Sequence, residues 1–139
     1  MKAAVVYFDS SRFRKIELFS NSLAKGISGQ YEDLKVDVIN GEESVGKKLS
    51  GYAYIVFFAV SLKAVNGFSG SPFLEFLKYA GPISSKKSSA FTVPCGLRNW
   101  KRLIKIMESL EGEGLIVKNS GIIKSEANAF ETGRNLHVK

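Results

Sequence analysis

The chain is organised around the sequence KAAVVYFDSSRFRKIELFSNSLAKGI, residues 2–27. Lys2–Phe8 is a short run of β-branched and aromatic residues, which is typical of a buried strand. Polar residues 9–15 follow, and apolar residues then recur at the spacing of a helix that packs back on the strand. In a parallel sheet, the loop between them lies at the carboxyl end of the strand and the amino end of the helix. The free backbone N–H groups and the helix dipole favour a phosphate there.

The remaining sequence continues this alternation of strands and helices. Further strands are predicted at 35–40, 53–60 and 88–94, and a last one at 115–118 that resumes at 122–123 after a break. Further helices are predicted at 71–79, 97–111 and 126–138. Strands that alternate with helices in this way predict one α/β domain over residues 1–139. It would have three layers, with helices on both faces of a doubly wound, five-stranded parallel sheet.

Periodicity also assigns the faces of the last two helices. In helix 97–111 the predicted buried stripe is Trp100, Leu103, Ile104, Met107 and Leu110. The predicted solvent face of that helix is Arg98, Lys101, Arg102, Lys105 and Glu108. In helix 126–138 the inward residues are predicted to be Ala129, Phe130 and Leu136.

Composition bounds the functions that the chain can have. The 139 residues carry a net charge of +7, and the isoelectric point is about 9.5, which suits an anionic partner or ligand. No stretch approaches the roughly 18 apolar residues of a membrane span, and the amino terminus has no signal-peptide pattern, so we expect a cytoplasmic protein. Cys95 is the only cysteine and His137 the only histidine. An internal disulfide and a Cys/His zinc site are therefore excluded.

The series of elements resembles a short-chain flavodoxin along almost the whole chain. The resemblance is carried by residues 2–27, by AYIVFFAV at 53–60, by SSAFTVP at 88–94 and by EGEGLIVKNSGIIKS at 111–125. It implies the strand order 2-1-3-4-5, with FMN at the carboxyl edge of the sheet near strands one and three. It also implies one-electron transfer between redox protein partners as the task, so no catalytic side chain is assigned.

The resemblance extends to candidate cofactor-binding residues. By position, Asp9, Ser10, Ser11, Arg12, Phe13 and Arg14 fall on the family's phosphate loop, Ser/Thr-x-Thr-Gly-x-Thr. Arg12 takes the place of the glycine, while Ser10, Ser11 and Arg14 are expected to contact phosphate. Two further segments would border the isoalloxazine with backbone amides: Ala59, Val60, Ser61 and Leu62, and Pro94, Cys95, Gly96, Leu97, Arg98 and Asn99. The family flanks its flavin with aromatic residues after strands three and four, where this chain has Phe68 and Trp100.

A basic rim supports an alternative function. Seven of the twenty Lys and Arg residues follow the carboxyl ends of strands one, three and four: Arg12, Arg14, Lys15, Lys63, Arg98, Lys101 and Arg102. A flavodoxin-like domain without flavin could bind another phosphorylated small molecule or an acidic protein through this rim, although such charge runs are also common on solvated faces.

Two other kinds of function rank lower. A phosphatase loop needs Cys-x5-Arg, but position 101 is lysine, so Cys95 is better interpreted as a buried, inert cysteine. Nucleic-acid binding ranks third because no known reading motif or exposed aromatic platform is recognised in the sequence. An electron carrier or binding domain is therefore favoured over an enzyme with its own catalytic residues.

Overall fold

A computed structural model of the protein describes residues 1–8, 15–59, 72–94 and 99–139. Its elements in chain order are β1 (Lys2–Phe8), α1 (Ile16–Ser28), β2 (Lys35–Asn40), β3 (Tyr54–Ala59), α2 (Pro72–Lys78), β4 (Lys87–Thr92), α3 (Asn99–Gly112), β5 (Ile116–Ile122) and α4 (Glu126–Asn135). The strands form one parallel sheet in the order β2-β1-β3-β4-β5. The predicted doubly wound sheet and its strand order are confirmed. Within the described ranges, no helix has the length and apolarity that a membrane crossing requires.

Two hydrophobic cores lie on opposite faces of the sheet. Alternate residues of β1 and β3, such as Val6 and Phe57, pack against α2 and α3, while their neighbours pack against α1 and α4. Both strands are buried along nearly their whole length because helices cover both faces, as the apolar runs predicted. The Phe8 ring at the carboxyl end of β1 makes edge-on contacts with Phe73 and Phe76 at centroid distances of 5.0 and 5.6 Å.

The face that α3 turns to the sheet differs from the prediction. Its buried residues are Arg102, Leu103, Ile106 and Leu110, whereas Trp100 is 64% exposed and Ile104 is 51% exposed. The assignment of Trp100 and Ile104 to the core and of Arg102 to the solvent face was therefore wrong. The physical reason is that Arg102 is anchored inward by hydrogen bonds to backbone and side-chain oxygens, which turns the helix by about one residue.

Two smaller predictions near the carboxyl end also need correction. β5 is continuous from Ile116 to Ile122, without the predicted break. Its pairing with β4 instead shifts register between Ser88 and Ser89, whose partners are Val117 and Asn119, so a bulge absorbs one residue. In α4 the inward residues are Ala129 and Gly133, and Phe130 remains 39% exposed, because the helix lies too close to α1 for a large side chain.

The contact between α1 and α4 depends on two glycines. A Cβ atom on Gly26 would collide with the carbonyl oxygen of Phe130, and one on Gly133 would collide with the carbonyl oxygen of Leu23. The Gln30 side-chain amide donates a hydrogen bond of 2.6 Å to the Gly133 carbonyl oxygen. The two helices therefore pack backbone against backbone at this crossing.

A buried tyrosine at the amino edge of the sheet makes stability depend on pH. The Tyr52 hydroxyl donates a 2.6 Å hydrogen bond to the Asp37 carboxylate. Burial, that hydrogen bond and the Asp37 charge raise the pKa of Tyr52 from 10.0 to about 12. Because the folded-state pKa is the higher one, the stabilisation is complete below pH 10 and is lost as the pH rises from 10 to 12.

We expect the wild type to lose up to about 2 kcal/mol of unfolding free energy relative to Tyr52→Phe between pH 10 and pH 12. Urea titrations of both proteins across this range measure the difference, and lysine titration cancels because it is common to both. Parallel pH profiles would contradict the assignment of the raised pKa.

Candidate functional site

The ends of β1, β3 and β4 lie side by side at the carboxyl edge of the sheet. Phe8 and Ala59, the last residues of β1 and β3, are register partners, and Phe58 pairs with Phe91 of β4. The chain leaves these strands into segments 9–14, 60–71 and 95–98. The three loops that the sequence singles out thus begin at neighbouring points of one edge, which is where ligands bind in open α/β sheets.

Three of the predicted site residues belong to the described part of the chain. Ala59 is buried at the end of β3, Pro94 is exposed just after β4, and Asn99 is half-buried at the first position of α3. The others lie outside the described residues: Asp9, Ser10, Ser11, Arg12, Phe13, Arg14, Val60, Ser61, Leu62, Cys95, Gly96, Leu97 and Arg98. Their roles remain predictions.

Arg102 joins the end of β4 to the start of α3. Its side chain is 5% exposed, and its Nη2 donates 2.7 Å hydrogen bonds to the Val93 carbonyl oxygen and to Asn99 Oδ1. A buried guanidinium needs such oxygen acceptors, and a strand end supplies a carbonyl oxygen that the sheet does not use. Arg102 therefore fixes the two ends of the chain on either side of residues 95–98, and it does not belong to the predicted basic rim.

Trp100 is an exposed aromatic residue next to this junction. It lies in the first turn of α3, two residues before Arg102, and its side chain is 64% exposed. Because α3 starts at the carboxyl edge, Trp100 is close in sequence to the end of β4, and Arg102 two residues later is hydrogen-bonded to Val93 just after that strand. The sequence could not select this orientation, since Trp100 and Ile104 also recur at helical spacing with Leu103 and Leu110.

The last residue of β4 contributes a polar group that the sequence pattern did not single out. Thr92 is fully buried, and among the described residues its hydroxyl has no hydrogen-bond partner. A buried hydroxyl without a partner is uncommon in folded proteins. The only sequence signal was a polar residue inside an apolar strand, which is also common in ordinary sheets.

The end of β2 is closed by a local turn beside β1. The Asn40 side-chain oxygen accepts hydrogen bonds from the backbone N–H groups of Glu42 and Glu43. The Gly41 N–H donates to the Tyr7 carbonyl oxygen at 2.8 Å, and a Cβ atom on Gly41 would collide with the Phe8 ring. Glycine is thus required where this turn passes over the end of β1.

The described part of this edge keeps two exposed lysines of the predicted basic rim. Lys15 and Lys101 of the predicted rim are exposed, whereas Arg102 is buried. In the described ranges, no group of three or more His, Cys, Asp and Glu side chains could hold a metal ion.

Solved flavodoxins share this architecture over nearly its full length. A flavodoxin from the domain Archaea matches with a TM-score of 0.69 and 17% identity, covering 97% of this chain and 95% of that chain. Flavodoxin 2 from Bacillus cereus matches with a TM-score of 0.69 and 14% identity, covering 97% and 94%. A short-chain flavodoxin associated with a PDU bacterial microcompartment matches with a TM-score of 0.68 and 11% identity, covering 96% and 94%.

These similarities define a flavodoxin-like α/β fold, which confirms the fold that the sequence resemblance implied. No protein-family model matches the sequence. A search of curated proteins likewise finds no significant match. At such low identity the comparison establishes the fold, and the function has to be argued from the residues at the carboxyl edge.

Proposed function

We propose that the chain binds FMN at the carboxyl edge of the sheet and transfers single electrons between redox proteins. The observation that carries this proposal is the exposed indole of Trp100, at the start of α3 in a flavodoxin-like fold. The sequence resemblance implies an aromatic residue beside the flavin after the fourth strand, and an exposed Trp100 can fill that role where a buried one could not. The bound flavin would supply the redox chemistry.

The chain's own residues would bind and orient the cofactor. Ser10, Ser11 and Arg14 are the proposed phosphate contacts, because hydroxyl and guanidinium groups donate hydrogen bonds to phosphate oxygens. Backbone amides of segments 59–62 and 94–99 are proposed to border the isoalloxazine. Since the Asn99 side chain accepts from Arg102, its proposed contribution is through the backbone. Arg102 would act indirectly, by holding the end of β4 against α3.

Titration of the purified protein with FMN tests this proposal. Trp100 is the only tryptophan, so its emission reports on this edge alone. We expect FMN to quench both Trp100 and flavin fluorescence with one saturable curve, and the complex to be yellow. Absence of both signals at high FMN concentration would contradict the proposal and would favour another phosphorylated ligand for the same edge.

We further expect Trp100→Ala to weaken FMN binding by about tenfold, through loss of an aromatic contact. Flavin fluorescence measures this variant, since its own tryptophan is gone. Tyr79→Ala is the matched control, because Tyr79 is a 45% exposed aromatic residue that follows α2 at the opposite edge of the sheet. An equal loss in both variants would exclude a specific role for Trp100.

A further inference from the structure

The outer face of α3 combines apolar and basic side chains. Trp100 and Ile104 are four residues apart and both more than half exposed, and Lys101 and Lys105 lie exposed beside them. The helical period places these four side chains on one face, which we call the α3 outer face, and Glu108 bounds it one turn further along. Neither lysine forms an ion pair within the described part of the chain.

The charges of α3 run against its helix dipole. The first turns of α1, α2 and α4 carry Glu17, Glu75 and Glu126, and their last turns carry Lys25, Lys78 and Arg134. Helix α3 has no acidic residue in its first turn and no basic residue in its last turn. Its Lys101 lies in the first turn, where the helix dipole is positive, Lys105 lies one turn later, and Glu108 and Glu111 lie in the carboxyl-terminal half.

This arrangement does not favour the stability of the free protein. Lysines near a helix amino terminus are unfavourable, and like charges four residues apart repel each other. Two large apolar side chains also remain in water beside them. The same features favour association with an acidic surface, because an exposed tryptophan supplies a contact centre and surrounding lysines steer a partner of opposite charge.

We propose that the α3 outer face docks an acidic protein partner. That this partner exchanges electrons rests on the proposed function, whereas the docking itself does not. A membrane surface is less well matched, because an interfacial helix needs a wide apolar face and α3 has buried its own against the sheet. Nucleic acid is also less well matched, since two lysines supply few of the phosphate contacts on which such binding depends.

Emission from Trp100 tests the docking in the protein without flavin. The probe is a small acidic [2Fe–2S] protein that lacks tryptophan, added in its oxidised form at low and at high ionic strength. We expect saturable quenching at low salt that high salt abolishes. The same titration with a duplex oligonucleotide and with phosphatidylglycerol vesicles should give weaker responses. A stronger response to either of these, or no response to the acidic protein, would overturn the proposal.

A double charge reversal supplies the decisive comparison. Lys101→Glu/Lys105→Glu should weaken binding of the probe by about tenfold, because docking is steered by these two charges. The control Lys47→Glu/Lys118→Glu makes the same change of net charge at exposed positions elsewhere and should bind as the wild type does. The α3 variant should keep a Tm close to that of the wild type, because the helix dipole favours Lys101→Glu whereas Lys105→Glu introduces repulsion with Glu108 three residues away. Weaker binding with an unchanged Tm cannot come from misfolding, and equal effects of the two variants would overturn the proposal.

The outcomes also separate this proposal from the assignment of FMN. Salt-dependent docking in a protein that fails to bind FMN would support docking at the α3 outer face and would exclude flavin-based electron transfer. Normal FMN binding without any response to the acidic protein would leave the flavin assignment intact and overturn the docking.

Discussion

Gly133→Ala is expected to lower the free energy of unfolding by roughly 2–3 kcal/mol, as overpacking of a close contact does. A Cβ atom at this position would overlap the Leu23 carbonyl oxygen and lie 3.0 Å from the Ile27 backbone nitrogen. Both obstacles are backbone atoms of α1, so no side-chain rotation can relieve them. The two helices would have to separate, which would also stretch the hydrogen bond between Gln30 and the Gly133 carbonyl oxygen.

Gly112→Ala is the matched control, because a Cβ atom there would have no heavy atom within 4 Å. Gly112 is the last residue of α3. We expect Gly112→Ala to leave the free energy of unfolding unchanged or to raise it by up to about 1 kcal/mol. Urea unfolding of both variants and the wild type measures the difference. Similar stabilities for the two variants would show that α1 and α4 are not in backbone contact. If Gly26→Ala also lowers the free energy of unfolding relative to the wild type, that loss would confirm the crossing from the α1 side.

The strands themselves were predictable because their signal is local, whereas their order in the sheet was implied by the resemblance to short-chain flavodoxins. The central strands are continuous apolar runs, and Lys35–Asn40 was predicted with the bounds that the structure gives. The crossing of Gly26 and Gly133 was not predictable in this way. The two residues are far apart in sequence, and a glycine inside a helix carries no sign of which backbone approaches it.

The carboxyl edge shows where periodicity stops being informative. The rule that loops follow parallel strands at one edge correctly brought the ends of β1, β3 and β4 together. In α3, however, two stripes at helical spacing compete, and the pattern counts arginine as a surface residue. Hydrogen bonds to Val93 and Asn99 reversed that assignment, and they turned Trp100 outward as a consequence.

Among the α3 positions that the sequence pattern assigns to the solvent face, Arg102 is therefore expected to be the most sensitive. Arg102→Met should lower the free energy of unfolding by roughly 2–4 kcal/mol. Methionine can fill much of the space, but it cannot donate to the Val93 carbonyl oxygen or to Asn99 Oδ1. Val93 is fully buried, so water cannot easily replace the lost donor. Loss of these two hydrogen bonds should also loosen the start of α3 and thereby weaken FMN binding.

Lys101→Met is the control that makes this test specific. It removes the same charge one residue earlier, but from an exposed position, and we expect a change within about 0.5 kcal/mol. Arg102→Lys should fall between the two, because a single ammonium keeps the charge but cannot reproduce the planar fork. Denaturant unfolding ranks the three variants, and FMN titration follows on those that fold. If Arg102→Met and Lys101→Met were equally mild, Arg102 would belong on the surface, as its sequence pattern alone suggests, and Trp100 would have no anchor that holds it outward.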